Sequence, residues 1–103
     1  MILIERNREI DVREWAGSTE EEFNQFVDDF LKNLKEKYNV SFEIKELVHE
    51  MRTGFKVGVI ILKSNKIILI KDGDFLCYDI INQDLFSIKE FEKKLYWENK
   101  KEI

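Results

Sequence analysis

The side chains best equipped for chemistry are few, and each has a simpler structural account. The single histidine, His49, stands in the stretch LVHEMR with Glu46 and Glu50 on either side. Carboxylates flanking an imidazole raise its pKa and orient the ring, as a general base requires. No second histidine is present to build an HExxH zinc site, and no serine lies in a nucleophile-elbow sequence. His49 is expected as a polar residue at a strand end, and a small enzyme using it as general base ranks third among the functional readings. The single cysteine, Cys77, would be a nucleophile only if exposed beside a base or cation. Between Leu76 and Tyr78 it reads as a small buried hydrophobe. Asp72, Asp74, Asp79 and Asp84 bring carboxylates of the kind hard cations take, but the DGD spacing is not that of a calcium loop, and Asp72 is explained by a turn. No catalytic residue, metal or cofactor is expected.

Nucleic-acid contact would fall to Arg6, Arg8 and Arg13 with Trp15, or to Lys93, Lys94, Lys100 and Lys101 with Tyr96 and Trp97, since cations alternating with aromatics grip phosphates and stack bases. Both clusters are interleaved with glutamates, and 17 basic against 21 acidic residues give a net charge of −4. That balance does not suggest general attraction to phosphate backbones. A nucleic-acid-binding module is the second reading.

A helix followed by strands around FKVGVIILKSNKIILIKDG resembles loosely the core order of the restriction-endonuclease-like nucleases. Such a resemblance implies an acid near the start of the second core strand and a Glu-x-Lys on the third, holding magnesium and supporting the attacking water. Gly58 stands where the first acid is sought, and IKDG replaces the second motif. The chain departs from the pattern at every catalytic position.

The elements behind these residues are read from periodicity. With 103 residues and 44% hydrophobic content, the chain is expected to form one domain over 1–103. One cysteine excludes an internal disulfide, and no signal-peptide layout or bilayer-length apolar run is present, so a cytoplasmic setting is expected. In GSTEEEFNQFVDDFLKNLKEKYN, Ser18 with Glu21 reads as a capping box, and Phe23, Phe26, Val27, Phe30, Leu31, Leu34 and Tyr38 form one apolar stripe ending at Asn39. Val40, Phe42 and Ile44 alternate as a strand does, with a break at Glu46-Leu47 that suggests a bulge or the strand's end. Ile2 and Ile4 with Ile10 and Val12 fit either a hairpin turning near Asn7 or one strand followed by a helical turn, so one or two strands are expected there and the spacing does not choose between them.

Asp72-Gly73, and more weakly Ser64-Asn65, signal two-residue hairpins. Two such turns set Ile60 opposite Leu69, Ile61 opposite Ile68, and Leu69 opposite Leu76. One face then carries Ile60, Leu62, Ile67, Leu69, Leu76 and Tyr78. The other carries Val57, Val59, Ile61, Ile68, Ile70, Phe75 and Cys77. Both are apolar, so both need cover. A second helix over 87–99, capped by Ser87 and Glu90 with a Phe86–Phe91 staple, is expected to supply part of it. The expected fold is α+β: an antiparallel meander of four to six strands with one long amphipathic helix on one face and a short C-terminal helix, in the order β(β)αββββα.

With no catalytic motif, a non-enzymatic protein-binding or regulatory module is the first reading. Trp15, Tyr96 and Trp97 are its partner-binding residues, because aromatics at element ends are common hot spots. The partner is another protein, or a second copy of the chain that closes the remaining sheet face. Small size, acidity, the absence of proline and the wealth of Lys, Ile, Asn and Phe suggest an inhibitor or immunity-type protein of a mobile element or virus.

Overall fold

The computed structural model describes residues 2–5, 8–52, 54–89 and 101–102. Among them one helix and eight strands follow one another as β1 (Ile2–Glu5), β2 (Arg8–Glu14), α1 (Glu20–Tyr38), β3 (Ile44–Arg52), β4 (Phe55–Leu62), β5 (Ile67–Lys71), β6 (Phe75–Asp79), β7 (Asp84–Ile88) and β8 (Lys101–Glu102). The α+β class is as expected. The single meander is not: the strands form two antiparallel sheets, one ordered β7-β6-β2-β1-β8 and the other β3-β4-β5.

Helix α1 starts one residue later than the sequence suggests. Thr19, not Ser18, is the cap: its Oγ1 accepts the Glu22 amide at 3.1 Å, and Glu22 Oε1 accepts the Thr19 amide at 3.2 Å. Both frames contain a hydroxyl three residues before a glutamate, so the capping-box pattern alone does not choose between them. At the other end Asn39 takes φ 54° and its N–H closes on the Lys35 carbonyl at 3.0 Å, as a left-handed cap does. The stripe is buried at Phe23, Val27, Phe30 and Leu34, each such side chain contributing roughly 1.5–3 kcal/mol.

The β1–β2 hairpin forms with Glu5 opposite Arg8, in keeping with a turn near Asn7. The two later turns differ from expectation. Between β4 and β5 the Leu62 amide donates to the Lys66 carbonyl at 2.9 Å, and Asn65 takes φ 72°, so the loop has three residues with its last in the left-handed region. Ile60 therefore faces Ile68 and Ile61 faces Ile67. That one-residue slip exchanges the faces of β5: Ile68 and Ile70 point inward, whereas Ile67 and Leu69 point out. At Asp72-Gly73 only Gly73 has positive φ, 93°, whereas a type I′ hairpin needs it at both residues. The chain turns there, with the Asp74 amide on the Lys71 carbonyl at 2.9 Å, but β5 and β6 do not pair. The turn carries the chain from one sheet to the other, and β6 enters between β2 and β7.

The apolar strands seen in the sequence are explained by this crossing. Inward residues of β4 and β5 (Ile60, Leu62, Ile68, Ile70) meet α1 and one face of β6 (Leu76, Tyr78) in a single core. The opposite face of the five-stranded sheet carries a second cluster, Ile10, Val12, Phe75, Cys77 and Ile88, to which neither α1 nor the three-stranded sheet contributes.

The segment over 84–88 was not expected as a strand. Ser87, expected as a helix cap, lies in β7 opposite Leu76 and gives its hydroxyl to the Leu69 carbonyl at 2.8 Å. A start at Ser87 is thereby overturned; residues 90–99 of that helix lie outside the described residues. Val40 and Phe42 precede β3 rather than belong to it, and the suspected irregularity is a register shift between Ile44 and Glu46, near the strand's beginning. No helix among the described residues is long and apolar enough to cross a membrane.

Candidate binding surface

Strand alternation separates the residues that looked like a catalytic group. His49 pairs with Gly58 on the inner face of β3, whereas Glu46 and Glu50 pair with Ile61 and Val57 on the outer face. The imidazole stacks on Phe23, with ring centroids 5.5 Å apart and planes 20° from parallel, and meets Trp15 edge-on at 5.9 Å. It is mid-strand, not at a strand end, and half-buried among aromatics. Gly58 is what admits Phe23: a Cβ at that position would lie 2.3 Å from the ring. The position where a nuclease would carry its first acid has no room for one.

The remaining candidates also have structural work. Cys77 is buried in the second cluster, with Val12 and Phe86 in the same cross-strand row. The aspartates are dispersed. Asp72 Oδ1 accepts the Gly17 amide at 3.0 Å, and Asp74 Oδ2 accepts that of Lys71 at 2.8 Å. Asp79 Oδ1 accepts the amides of Ile81 and Asn82, capping the turn into β7, and Asp84 is ion-paired with Lys66. Among the described residues no three of His, Cys, Asp and Glu are grouped as a metal ion requires.

Trp15, expected at a partner interface, is 2% exposed. Its N–H donates to the Asp74 carbonyl and its carbonyl accepts the Gly73 amide, both at 2.8 Å, while the indole meets Phe23 edge-on at 5.3 Å. It fastens the sheet-crossing turn to the helix, so its role is in the core. Arg13 places its guanidinium over the Phe30 ring at 5.8 Å, and Arg8 lies in β2. Arg6, Lys93, Lys94, Tyr96, Trp97 and Lys100 fall outside the described residues.

Shallow grooves on the described surface include the following two. One, of about 500 Å³, runs beside Trp15 and Phe26 under Glu14, Glu21, Glu22 and Asp29. Two of these acids belong to the first turn of α1, where carboxylates complement the helix dipole. Glu22 is held below the usual glutamate range by its bond with the Thr19 side chain and then by the Ser18 amide. The other groove, about 400 Å³, lies beside the Lys66–Asp84 pair. The first groove has no serine, cysteine, lysine or histidine in its lining, and the second carries Ser41 and Ser64 beside Glu43.

The outer face of the three-stranded sheet carries three of the exposed large hydrophobic side chains among the described residues, Phe55, Ile67 and Leu69. Cross-strand register arranges it in rows: Glu50–Val57–Lys71, Val48–Val59–Leu69 and Glu46–Ile61–Ile67, with Arg52–Phe55 beyond the first. Phe55 is 63% exposed, Ile67 61% and Leu69 46%, while Val59 at the centre is 4% exposed. At one end Arg52 is ion-paired with Glu50, and the Lys71 ammonium stands 5.5 Å over the Phe55 ring. The composition signal was visible in GFKVGVIILKSNKIILIK, but which residues face outward depended on the loop length.

Comparisons with protein-family models, with curated proteins and with solved structures return no match.

Proposed function

We propose that the chain is a non-enzymatic protein-binding module whose contact surface is the outer face of β3-β4-β5. The observation that carries this reading is the apolar row set centred on Val59, with Phe55, Ile67 and Leu69 open to solvent and charges only at its margins. Contiguous exposed apolar area rimmed by polar groups is costly in water and is characteristic of association sites. Lack of a grouped metal-ligand set among the described residues favours binding over catalysis. On this reading the module works in the cytoplasm as a regulatory or inhibitory partner, and the buried thiol of Cys77 suits a reducing setting.

The test is a photoreactive residue placed at Ile67, with the same group at Lys32 on the exposed side of α1 as control, irradiated in living cells. A polypeptide adduct from position 67 and none from position 32 is expected. No adduct at 67, or equal adducts at both, overturns the reading.

A further inference from the structure

We infer that the occupant of this face is a second copy of the chain, packed sheet against sheet about a two-fold axis running along β4; the inference rests on the reading of the face as a binding surface. The rows decide the orientation. Glu50 and Lys71 lie at the same height on opposite edge strands, each opposite Val57 of the central strand. Rotation about an axis parallel to the strands, in the plane between two facing copies, exchanges the edges while keeping the heights. Glu50 of each copy is then set against Lys71 of the other, twice over, and Val48 against Leu69. The half-buried Val57 and Ile61 meet their own counterparts along the seam, on either side of the buried Val59.

The alternative axis, perpendicular to the strands, keeps the edges and inverts the heights. It sets Glu50 against Glu46 of the other copy at both ends, a like-charge contact that self-association would have to overcome. The marginal charges of the face are Glu46, Glu50, Arg52 and Lys71, two of each sign, so no net repulsion opposes its meeting itself. Facing sheets pack about 10 Å apart at about 30°, which lets the exposed side chains of both copies interdigitate.

The size of the face sets the strength. Three strands and the eight residues of β4 span a patch about 14 Å by 27 Å, close to 400 Å² for each copy. Counted over both copies it is about 760 Å², below the roughly 1,000 Å² of standard specific interfaces, so the association is expected to be weak and reversible, with a dissociation constant on the order of tens to hundreds of micromolar.

Sedimentation of the full chain across a concentration series tests this directly. The mass should rise from 12.5 kDa towards twice that value, independently of chain preparation. Charge reversal then tests the axis. In E50K the reversed residue faces Lys71 of the other copy, and in K71E it faces Glu50, so each variant alone should dimerise at least about tenfold more weakly. Mixed together the two restore both opposite-charge contacts, and the dimer should return as a heterodimer. Both sites are at the sheet margin, and circular dichroism establishes that each variant is folded before mixing.

A wild type that stays at 12.5 kDa well above the expected dissociation constant overturns the inference. So do single variants that dimerise like the wild type, or a mixture that stays monomeric. A monomeric wild type whose Ile67 adduct contains a different polypeptide removes the second copy and leaves the protein-binding reading standing. A monomer without any adduct removes both.

Discussion

Replacing Gly58 by alanine tests the central packing of the molecule. The added Cβ would stand 2.3, 2.5 and 2.9 Å from three ring atoms of Phe23. Ordinary carbon contacts lie at about 3.5–4.0 Å, so the overlap exceeds 1 Å and cannot be absorbed by a small adjustment. Phe23 is fully buried, with His49 stacked against it and Trp15 at its edge, which limits its escape. Overpacking of this kind costs about 1–3 kcal/mol. The alanine also restricts the unfolded chain, which returns about 0.4–1 kcal/mol. Because the overlap exceeds 1 Å, the overpacking cost lies in the upper part of its range, about 2–3 kcal/mol, so a net loss of about 1–2.5 kcal/mol follows, lowering the melting temperature by roughly 5–20 °C in a domain of this size. Urea unfolding followed by far-ultraviolet circular dichroism measures it. Phe23→Leu leaves a cavity by itself, but with Gly58→Ala it makes room for the new methyl, so the double variant should be more stable than the sum of the singles implies by at least about 1 kcal/mol. A Gly58→Ala variant within about 0.5 kcal/mol of wild type, or strictly additive singles, would refute the packing described.

Neighbouring residues of β5 should behave oppositely: Ile68→Ala should cost about 2–5 kcal/mol and Leu69→Ala less than about 1, as measured by urea unfolding, because the slipped register puts the first in the core and the second outside. Thr19→Ala should cost about 1 kcal/mol in the same assay. It should also flatten the acid limb of stability, since a carboxylate lowered in the fold contributes stability above its unfolded pKa that is lost as pH falls through the folded value, and Thr19 is the first cause of the lowering at Glu22. Tyr38 donates to Asp11 Oδ2 at 2.7 Å, and burial followed by that bond raises its ionisation; burial and then the Asp79 charge raise that of Tyr78. Their raised values contribute stability that is full below the ordinary tyrosine pKa of about 10 and is lost above it. Absorbance titration of the chain's three tyrosines should therefore show two that ionise only as the fold is lost, and Tyr38→Phe should leave one.

Local chemistry was the legible part of the sequence. The helix stripe and the Asn39 cap are set by spacing or by one residue's backbone preference, and each is found in the fold, whereas the N-terminal spacing fitted a hairpin and a strand with a helical turn equally and the pairing of β1 with β2 decided it. Details that depend on choosing between neighbouring residues were not legible. Thr19 and Ser18 both precede a glutamate by three positions, and SN between two strands fits a two-residue loop as well as a three-residue one. The second ambiguity mattered more, since a single step reverses a whole strand and moved Ile67 and Leu69 to the surface. Asp72-Gly73 has a hairpin's composition, yet its fate is decided by Trp15, more than fifty positions away, whose backbone holds the turn. Tertiary pairing likewise took 84–88 as a strand despite its capping residues. For the candidate site, His49 between two glutamates was the pattern most suggestive of catalysis, and pairing along β3 dispersed it. The outer face was foreseen as apolar area needing cover, but its membership waited on the loop.

The five-stranded sheet also sets an order of events at the ribosome. Helix α1 and β3-β4-β5 come from one unbroken stretch and can assemble as they emerge. Strand β2 is made early, yet its neighbour β6 begins at Phe75, and β8, which pairs with β1, comes later still. At synthesis rates of about 5–20 residues per second, the interval between β2 and β6 is several seconds. During it the early hairpin offers an open edge in the crowded cell, and productive folding depends on that edge remaining unclaimed until the late strands arrive.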